Sequence, residues 1–356
     1  MLMIKDEYSP FKVVHHFDKL KQLQQGEQIT PVQIHLIPTN RCNQNCVFCA
    51  YRLPDYPSAA NFNAKDEIPE AKLIEIIDSC KTLGVKAIQF TGGGEPLVHP
   101  AILKAFQKTL ENGLDLALVS NGQALTDDMI HLLADVSWVR ISMDACHKKT
   151  YSLIRRVKGD IHSRVSKNIE KLARIKKGTI LGVGFVVNAE NHREIYDACR
   201  YFKELGADNF RISAAFTSFG MDYFKGFLEQ AKDMASQAKQ DFEDKTYKVF
   251  NLFNDRISDL FQGTQNYPYC PMKEFVPYIG ADETVYTCCM LAYNKLGRIG
   301  SIKDQAFEAL WESEEKEQFF KYHDPRKYCQ IPCMFQGKNE FINYAVKTDA
   351  RHINFI

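Results

Sequence analysis

The chain has 356 residues, and its 45 lysines and arginines nearly balance its 44 aspartates and glutamates, for a formal net charge of +1. This balance excludes a surface-wide positive field of the kind that attracts duplex nucleic acid, although it is compatible with a local basic patch. The N-terminus is charged too early to be a secretory signal, and the longest apolar stretch, around 180–187, is too short to span a bilayer. These features are typical of a soluble enzyme with no membrane association.

Strand and helix patterns alternate along the chain from about residue 32. The predicted strands lie at 32–37, 85–90, 114–119, 138–142, 179–187 and 210–213. Helices with apolar residues at three-to-four spacing are predicted near 68–83, 99–112, 126–134, 161–176 and 191–205. This alternation predicts a parallel sheet with helical crossovers. The segment from Met221 to about Gly263 is mixed in pattern, and the tail from Asn339 has too little pattern to assign.

Three cysteines, Cys42, Cys46 and Cys49, follow the first predicted strand with the spacing C-x3-C-x2-C. Each iron of a [4Fe–4S] cluster takes one cysteine thiolate, so three ligands on one short loop leave one iron open to an outside molecule. The alternative is a structural zinc site, which needs four ligands and is usually built from two spaced pairs. Because no fourth cysteine or histidine follows nearby, the spacing favours a cluster with an open iron.

This triad resembles the signature of the radical S-adenosylmethionine (SAM) superfamily, and further segments resemble that family in the same chain order. Gly92, Gly93 and Gly94, followed by Glu95, end the second predicted strand. In the family this strand end receives the amino group of SAM, and glycines are needed because a bulky Cβ would block close backbone approach. Arg155 resembles the family arginine that pairs with the SAM carboxylate, a geometry that suits the guanidinium fork.

The ends of the third and fourth predicted strands are similar to family segments that touch the ribose and methionine parts of SAM. Phe48, between the last two cysteines, matches the aromatic position that packs near the adenine. The resemblance therefore implies the following SAM-binding residues: Phe48, Gly92, Gly93, Gly94, Glu95, Ser120, Asn121, Ser142, Asp144 and Arg155.

The resemblance also implies an α/β fold, a partial (β/α)6 TIM-like barrel with function at the C-terminal ends of its strands and a small C-terminal iron–sulfur domain of the twitch/SPASM type. The expected organisation is an N-terminal extension (1–30), a radical SAM barrel (31–219), a connecting segment (220–263), an auxiliary cluster domain (264–338) and a C-terminal tail (339–356).

A second group of cysteines supports that C-terminal domain. Their order resembles the twitch domain, the shortened SPASM form, in which two cysteines around a hairpin and two after a helix bind one auxiliary [4Fe–4S] cluster. The implied ligands are Cys270, Cys288, Cys329 and Cys333. The last pair is separated by three residues where the family often has two, and Cys289 is an alternative to Cys288. A four-cysteine zinc site is the competing interpretation.

Four of the eleven cysteines belong to neither set. Cys80 and Cys199 lie in helical patterns, where buried, inert thiols are expected. Cys146 lies two residues past Asp144 at a strand end, so it is a candidate hydrogen-atom donor, and its plainer interpretation is a loop thiol without a role. Reduced clusters and unpaired thiols imply a reducing compartment, and we expect the cytoplasm.

The resemblance implies reductive cleavage of SAM to a 5′-deoxyadenosyl radical that abstracts a substrate hydrogen atom, with an external one-electron donor such as flavodoxin or ferredoxin. The auxiliary cluster would accept or relay an electron. Because the triad begins at Cys42, no room is left for a leader-recognition domain, which favours a small metabolite, sugar or nucleotide derivative as substrate. The alternatives are a peptide or protein, and a nucleobase stacked on aromatic residues near Tyr223. A non-enzyme, such as an iron–sulfur or zinc-stabilised binding protein, would leave Arg155 and the glycine run without a role.

Overall fold

The computed structural model describes residues 8–53, 56–258, 265–329, 332–348 and 351. Its strands are β1 (Gln33–Leu36), β2 (Ala87–Phe90), β3 (Asp115–Ser120), β4 (Trp138–Ser142), β5 (Ile180–Val187), β6 (Asn209–Ala214), β7 (Lys248–Asn251), β8 (Tyr278–Ile279), β9 (Thr284–Tyr286) and β10 (Arg298–Ser301). Within the described ranges they form one sheet in the order β10-β9-β8-β1-β2-β3-β4-β5-β6-β7.

The helices mostly cross between these strands or pack at the two chain ends. They are α1 (Phe17–Gln24), α2 (Glu70–Thr82), α3 (Ile102–Glu111), α4 (Asp127–Leu133), α5 (Lys148–Arg155), α6 (Ile161–Ile175), α7 (Ile195–Glu204), α8 (Leu228–Phe242), α9 (Leu252–Arg256), α10 (Met272–Phe275), α11 (Phe307–Trp311), α12 (Glu314–Tyr322), α13 (Pro325–Tyr328) and α14 (Gln336–Lys347). Several carry an N-terminal cap; Thr126, for example, accepts a hydrogen bond from the Met129 N–H at the start of α4.

Strands β1 to β7 are parallel, each paired with the next along the chain. The predicted alternation of strands and helices is therefore confirmed. One face of these strands is buried under the helices through residues such as Ile88, Val139, Val183 and Phe210. Because successive side chains point to opposite faces, the other residues of each strand face the concave interior. The C-terminal ends of the parallel strands meet at one edge, where the predicted motifs lie.

Strand β7 was not predicted, and it lies inside the segment expected to be a connection. It pairs in parallel with β6, so the run of consecutive parallel strands from β1 has seven members, one more than the six predicted units. Only four residues form it, too few to show a periodic pattern, and its hydrogen bonds come from β6, more than thirty residues away in sequence. Helices α5 and α14 were not assigned from the sequence either.

The C-terminal strands continue the sheet beyond its first strand. Strands β8 and β9 form the predicted hairpin, with Glu283 in its turn at a φ of 57°. Strand β8 then pairs in parallel with β1, bringing Tyr278 opposite His35. The C-terminal domain is thus hydrogen-bonded to the strand from which the cysteine loop extends.

The two chain ends pack together. Val13, Leu20 and Ile29 from the N-terminal segment share a buried apolar cluster with Phe275 and Ile342 from the C-terminal segment. Within the described residues, no helix combines the length and the apolar character that crossing a bilayer would require.

Candidate functional site

A cavity of about 270 Å³ opens at the C-terminal ends of β1 to β5. All three cysteines of the first motif and all ten residues expected to bind SAM line it. Its other lining residues are Gln44, Ala50, Tyr51, Thr91, Val119 and Val186. Tertiary structure therefore brings together in one cavity residues that are spread over more than a hundred positions of the sequence.

The loop that carries the three cysteines is fixed by the end of α5. The Asn45 N–H donates to the Arg155 carbonyl at 3.1 Å, and the Val47 N–H donates to the Ile154 carbonyl at 2.9 Å. The Arg52 guanidinium donates to the Asn45 side-chain oxygen at 3.0 Å. These contacts hold the half-buried thiols at the cavity wall.

The glycine run lies against the start of the cysteine loop. A Cβ on Gly94 would lie 2.1 Å from the Arg41 carbonyl oxygen, and one on Gly93 would lie 2.5 Å from the Asn40 side-chain oxygen. The Glu95 N–H donates to the same Arg41 carbonyl at 2.8 Å. Glycine is thus required here by the approach of the chain's own backbone, a reason that the sequence prediction did not include.

Glu95 is buried, and both of its carboxylate oxygens accept hydrogen bonds from the protein. One accepts from the Ser120 hydroxyl at 2.7 Å and from the Leu97 N–H at 3.1 Å, and the other accepts from the Asn121 N–H at 2.7 Å. Burial raises the pKa of Glu95, and these donors partly offset the shift. Glu95 therefore joins the ends of β2 and β3 at the cavity.

Arg155 and Asp144 form a buried ion pair, with side chains only 5% and 1% exposed. The same guanidinium donates to the Ser142 carbonyl at 2.6 Å and to the thiol sulfur of Cys46 at 3.3 Å. Asp144 has a positive φ of 56° and accepts from the Val186 N–H at 2.5 Å. Burial lowers the pKa of Arg155, but Asp144, Cys46 and Tyr151 together outweigh it and the net pKa is raised, so the guanidinium is a fixed positive charge beside the cysteine loop.

Gln44 is a cavity residue that the sequence reasoning missed. Its amide donates to the Tyr151 hydroxyl at 2.9 Å, and its oxygen accepts from Arg155 at 3.2 Å. Its place between Cys42 and Cys46 was the available signal, since a side chain inside the motif must lie near the thiols.

The second cysteine set also assembles. Asn339 contacts two of its thiols, because its oxygen accepts from Cys270 at 3.5 Å and its amide donates to the Cys333 sulfur at 3.8 Å. Burial, followed by the charges of Cys333 and Cys288, raises the pKa of Cys270 to about 12. The pKa of Cys329 is likewise raised by burial and then by Cys288, Cys270 and Cys333. The Tyr267 hydroxyl donates to the Cys333 sulfur at 3.4 Å.

Cys289 differs from the other cysteines of this region in its packing. It packs in an apolar cluster with Tyr278, Tyr286 and Tyr293, and its thiol donates to the Met334 sulfur at 3.3 Å. Burial, followed by Cys288 and Cys333, raises the pKa of Cys289, so its thiol also lies near the second set.

Cys146 does not line the cavity. Its N–H donates to Glu194 at 2.8 Å, and burial followed by the Glu194 charge raises the pKa of its thiol to about 12. Cys80 and Cys199 are buried, as their helical patterns predicted.

The chemistry of both cysteine sets fits iron–sulfur clusters, because each iron of such a cluster takes a thiolate ligand. The first set lies beside a glycine-lined wall and a buried guanidinium. Burial raises the pKa of Cys42 to about 11 and that of Cys288 to about 11, so ligation must displace protons.

Two domain families match the chain. The Radical SAM superfamily matches residues 36–202, and SPASM, an iron–sulfur cluster-binding domain, matches residues 270–334. These domains imply a [4Fe–4S] cluster with SAM and an auxiliary iron–sulfur cluster.

Curated relatives match more distantly. A tungsten-containing aldehyde ferredoxin oxidoreductase cofactor-modifying protein of Pyrococcus furiosus is 28% identical over 188 residues, 51% of this chain and 50% of that protein. A GTP 3′,8-cyclase of Clostridium botulinum is 32% identical over 177 residues, 48% of this chain and 52% of that protein. An AdoMet-dependent heme synthase of Methanosarcina barkeri is 25% identical over 312 residues, 81% of this chain and 84% of that protein. The chain spans about half the length of the first two.

Solved structures share the fold. Streptococcus suis SuiB bound to S-adenosylmethionine superposes with a TM-score of 0.64 at 14% identity, covering 95% of this chain and 78% of that one. The anSMEcpe structure with bound AdoMet superposes with a TM-score of 0.60 at 17% identity, covering 89% and 97%.

Proposed function

We propose that this chain, which carries a radical SAM domain followed by an iron–sulfur SPASM domain, is a radical SAM enzyme acting on a small metabolite, with a nucleotide or sugar derivative as the favoured class. When bound, the first cluster and SAM supply a 5′-deoxyadenosyl radical that abstracts a hydrogen atom from the substrate. The single observation that carries the proposal is the shared cavity at the strand ends, which is lined by every cysteine of the first motif and every residue expected to bind SAM.

The residues around this cavity have distinct roles in the proposal. The guanidinium of Arg155, held in place by Asp144, is available to orient a carboxylate near the thiols. Ser120 and Asn121 are held by Glu95, so they present fixed polar groups at the end of β3. Preorganised groups of this kind reduce the free energy needed to position a cofactor and a substrate for reaction.

The names of curated relatives support the proposed substrate class. Besides the GTP 3′,8-cyclases, they include an S-adenosylmethionine-dependent nucleotide dehydratase of Selenomonas ruminantium, 28% identical over 123 residues. The names of these proteins place nucleotide substrates on similar radical SAM domains, and the Methanosarcina relative has a name that indicates heme synthesis. A small molecule is therefore the substrate class that we propose.

We propose that Cys270, Cys288, Cys329 and Cys333 hold the auxiliary cluster. Cys288 is preferred because its charge acts on Cys270 and Cys329, while Cys289 packs among tyrosines. The proposal includes electron transfer from an external donor of the flavodoxin or ferredoxin kind, and a cytoplasmic location that keeps thiols reduced.

Anoxically reconstituted protein with dithionite and SAM tests the activity. The wild type should form 5′-deoxyadenosine, whereas Cys46→Ala should form none; Cys80→Ala, which removes a buried thiol far from the cavity, is the matched control. Wild-type protein should hold about eight irons, the sum of two four-iron clusters. Retained cleavage in Cys46→Ala would refute the assignment of the first site. Zinc in place of the auxiliary cluster would refute the assignment of the second site.

A further inference from the structure

Two arginines face the concave interior of the sheet beside the proposed SAM cavity. Arg140 lies on β4 and Arg211 on β6, and both are half-buried. Their immediate neighbours in sequence, such as Val139 and Ile212, belong to the face buried under the helices. Alternation along a strand therefore places both guanidinium side chains on the inner face.

The register of β4, β5 and β6 places Arg211 close to the cavity. Ser142, which lines the cavity, is the partner of Gly184 on β5, and Gly184 is the partner of Arg211 on β6. Adjacent strands lie about 4.8 Å apart, so Arg211 is about 10 Å from the cavity wall along this row. That distance suits a substrate that reaches from Arg211 to the cavity.

A glycine on β5 lets the Arg140 side chain lie across the strand between the two arginines. Strand β5 separates β4 from β6, and its inward positions include Gly182 and Gly184. A Cβ on Gly184 would lie 3.5 Å from the Arg140 Cδ, so this position faces the arginine side chain directly. A larger residue there would displace the Arg140 side chain from its place on the inner face.

The charge of Asp144 acts on both arginines, but among the described residues its ion pair is with Arg155. Arg140 donates to the Tyr8 hydroxyl at 3.4 Å, and Arg211 donates to the Ser213 hydroxyl at 3.3 Å and lies over the Tyr8 ring. Among the residues that the structure describes, no carboxylate forms an ion pair with either guanidinium, and the buried Nε of Arg211 has no hydrogen-bond partner. Arg155, by contrast, is neutralised by Asp144.

The surrounding charges add to the positive field. Burial, followed by Arg140 and Arg256, lowers the pKa of Arg211 to about 10, while Tyr8 and Asp144 partly offset the shift, so it is still charged at neutral pH. The pKa of His35 on β1 is lowered to about 4 by burial, followed by Lys338 and Arg140. A buried charge without a partner destabilises a fold, and such groups are retained when a ligand neutralises them.

We propose that Arg140 and Arg211 bind a phosphate group of the substrate, which rests on the proposed function. Phosphate matches this pair because it carries up to two charges and three acceptor oxygens, enough for two guanidinium forks at once. The site then selects phosphorylated small molecules and holds them on the inner face, with their reacting end toward the SAM cavity.

Equilibrium dialysis of the anoxically reconstituted holoenzyme against radiolabelled inorganic phosphate, at constant ionic strength, tests the proposal. Wild-type protein should bind phosphate, and Arg211→Gln and Arg140→Gln should each weaken binding at least tenfold. Arg174→Gln, which removes the same charge from an exposed helix position, is the matched control and should bind as the wild type does. Nucleoside diphosphates should displace the label, and nucleosides and malonate should not; displacement by malonate would identify a carboxylate site and overturn the proposal.

Stability provides a second readout. If the arginines are retained for a ligand, Arg211→Gln should unfold in urea at the same concentration as the wild type or a higher one, because an unpaired buried charge has been removed. Equal phosphate binding by wild type and Arg211→Gln, or equal loss in Arg174→Gln, would overturn the site. Phosphate binding is measured without SAM, so failure of SAM cleavage and failure of this site are distinguished.

Discussion

The replacement Asp144→Asn removes the charge that neutralises Arg155 and changes little else. The amide has nearly the same volume, and its oxygen can still accept from the Val186 N–H that Asp144 contacts at 2.5 Å. The Arg155 guanidinium would keep its contacts to the Ser142 carbonyl and the Cys46 sulfur, but its positive charge would be left buried without a carboxylate.

The magnitude follows from the burial of the pair. Both side chains are almost fully buried, at 5% and 1% exposed, and removing one partner of a buried pair costs about 3–5 kcal/mol. Asp127 also pairs with a basic side chain, that of Lys171, but the two side chains are 73% and 55% exposed, respectively. Exposed pairs contribute about 0–1 kcal/mol to stability. Asp127→Asn is therefore the matched control, and the two variants should differ in free energy of unfolding by at least about 2 kcal/mol.

Urea unfolding of the anoxic protein, followed by circular dichroism, measures that difference. SAM affinity, measured by the change in the cluster's spectrum, should also fall in Asp144→Asn and stay unchanged in Asp127→Asn, because Arg155 would lose its fixed orientation. If the two variants unfold at the same urea concentration, the ion pair does not stabilise the site and the reasoning is wrong.

Three further predictions concern other parts of the molecule. Gly94→Ala places a Cβ 2.1 Å from a backbone oxygen and should lower the free energy of unfolding in urea by about 1–3 kcal/mol. Its control is Gly226→Ala, which has nothing within 4 Å of the new Cβ and should stay within about 0.5 kcal/mol of the wild type. Equal effects of the two substitutions would contradict the steric argument. Cys288→Ala should reduce bound iron from about eight atoms to about four, while Cys289→Ala should retain about eight, and the opposite result in an iron assay would reassign the ligand. Burial raises the pKa of Glu274 from 4.5 to about 7, so its contribution to stability is present below pH 4.5 and is lost as the pH rises to about 7. The free energy of unfolding of Glu274→Gln should exceed that of the wild type by about 3 kcal/mol at pH 8 and should equal it at pH 4. The same difference at both pH values would exclude this cause.

Local sequence patterns determined much of the barrel and the first site. Strands such as β4 and β5 were predicted almost to the residue, because each combines buried apolar side chains with a length that neighbouring turns define. The cysteine triad and the glycine run were recognisable because their functional spacing is contained within a few residues.

Other features depended on partners that are distant in sequence. Strand β7 exists because β6 supplies its hydrogen bonds, and its four residues carry no pattern of their own. Cys288 and Cys289 differ in their surroundings: the charge of Cys288 acts on Cys329, whereas Cys289 packs among tyrosines, and adjacent positions in a sequence cannot reveal this difference.

The sequence by itself therefore predicted which residues line the cavity and roughly which elements present them. Only the tertiary structure decided how these residues are supported: that Glu95 joins two strand ends, that Asp144 neutralises Arg155, and that Arg140 and Arg211 share an inner face. The physical reason is that side-chain periodicity is a local property of the chain, whereas charge neutralisation and hydrogen bonding depend on which groups come into contact. Strand register and packing determine those contacts.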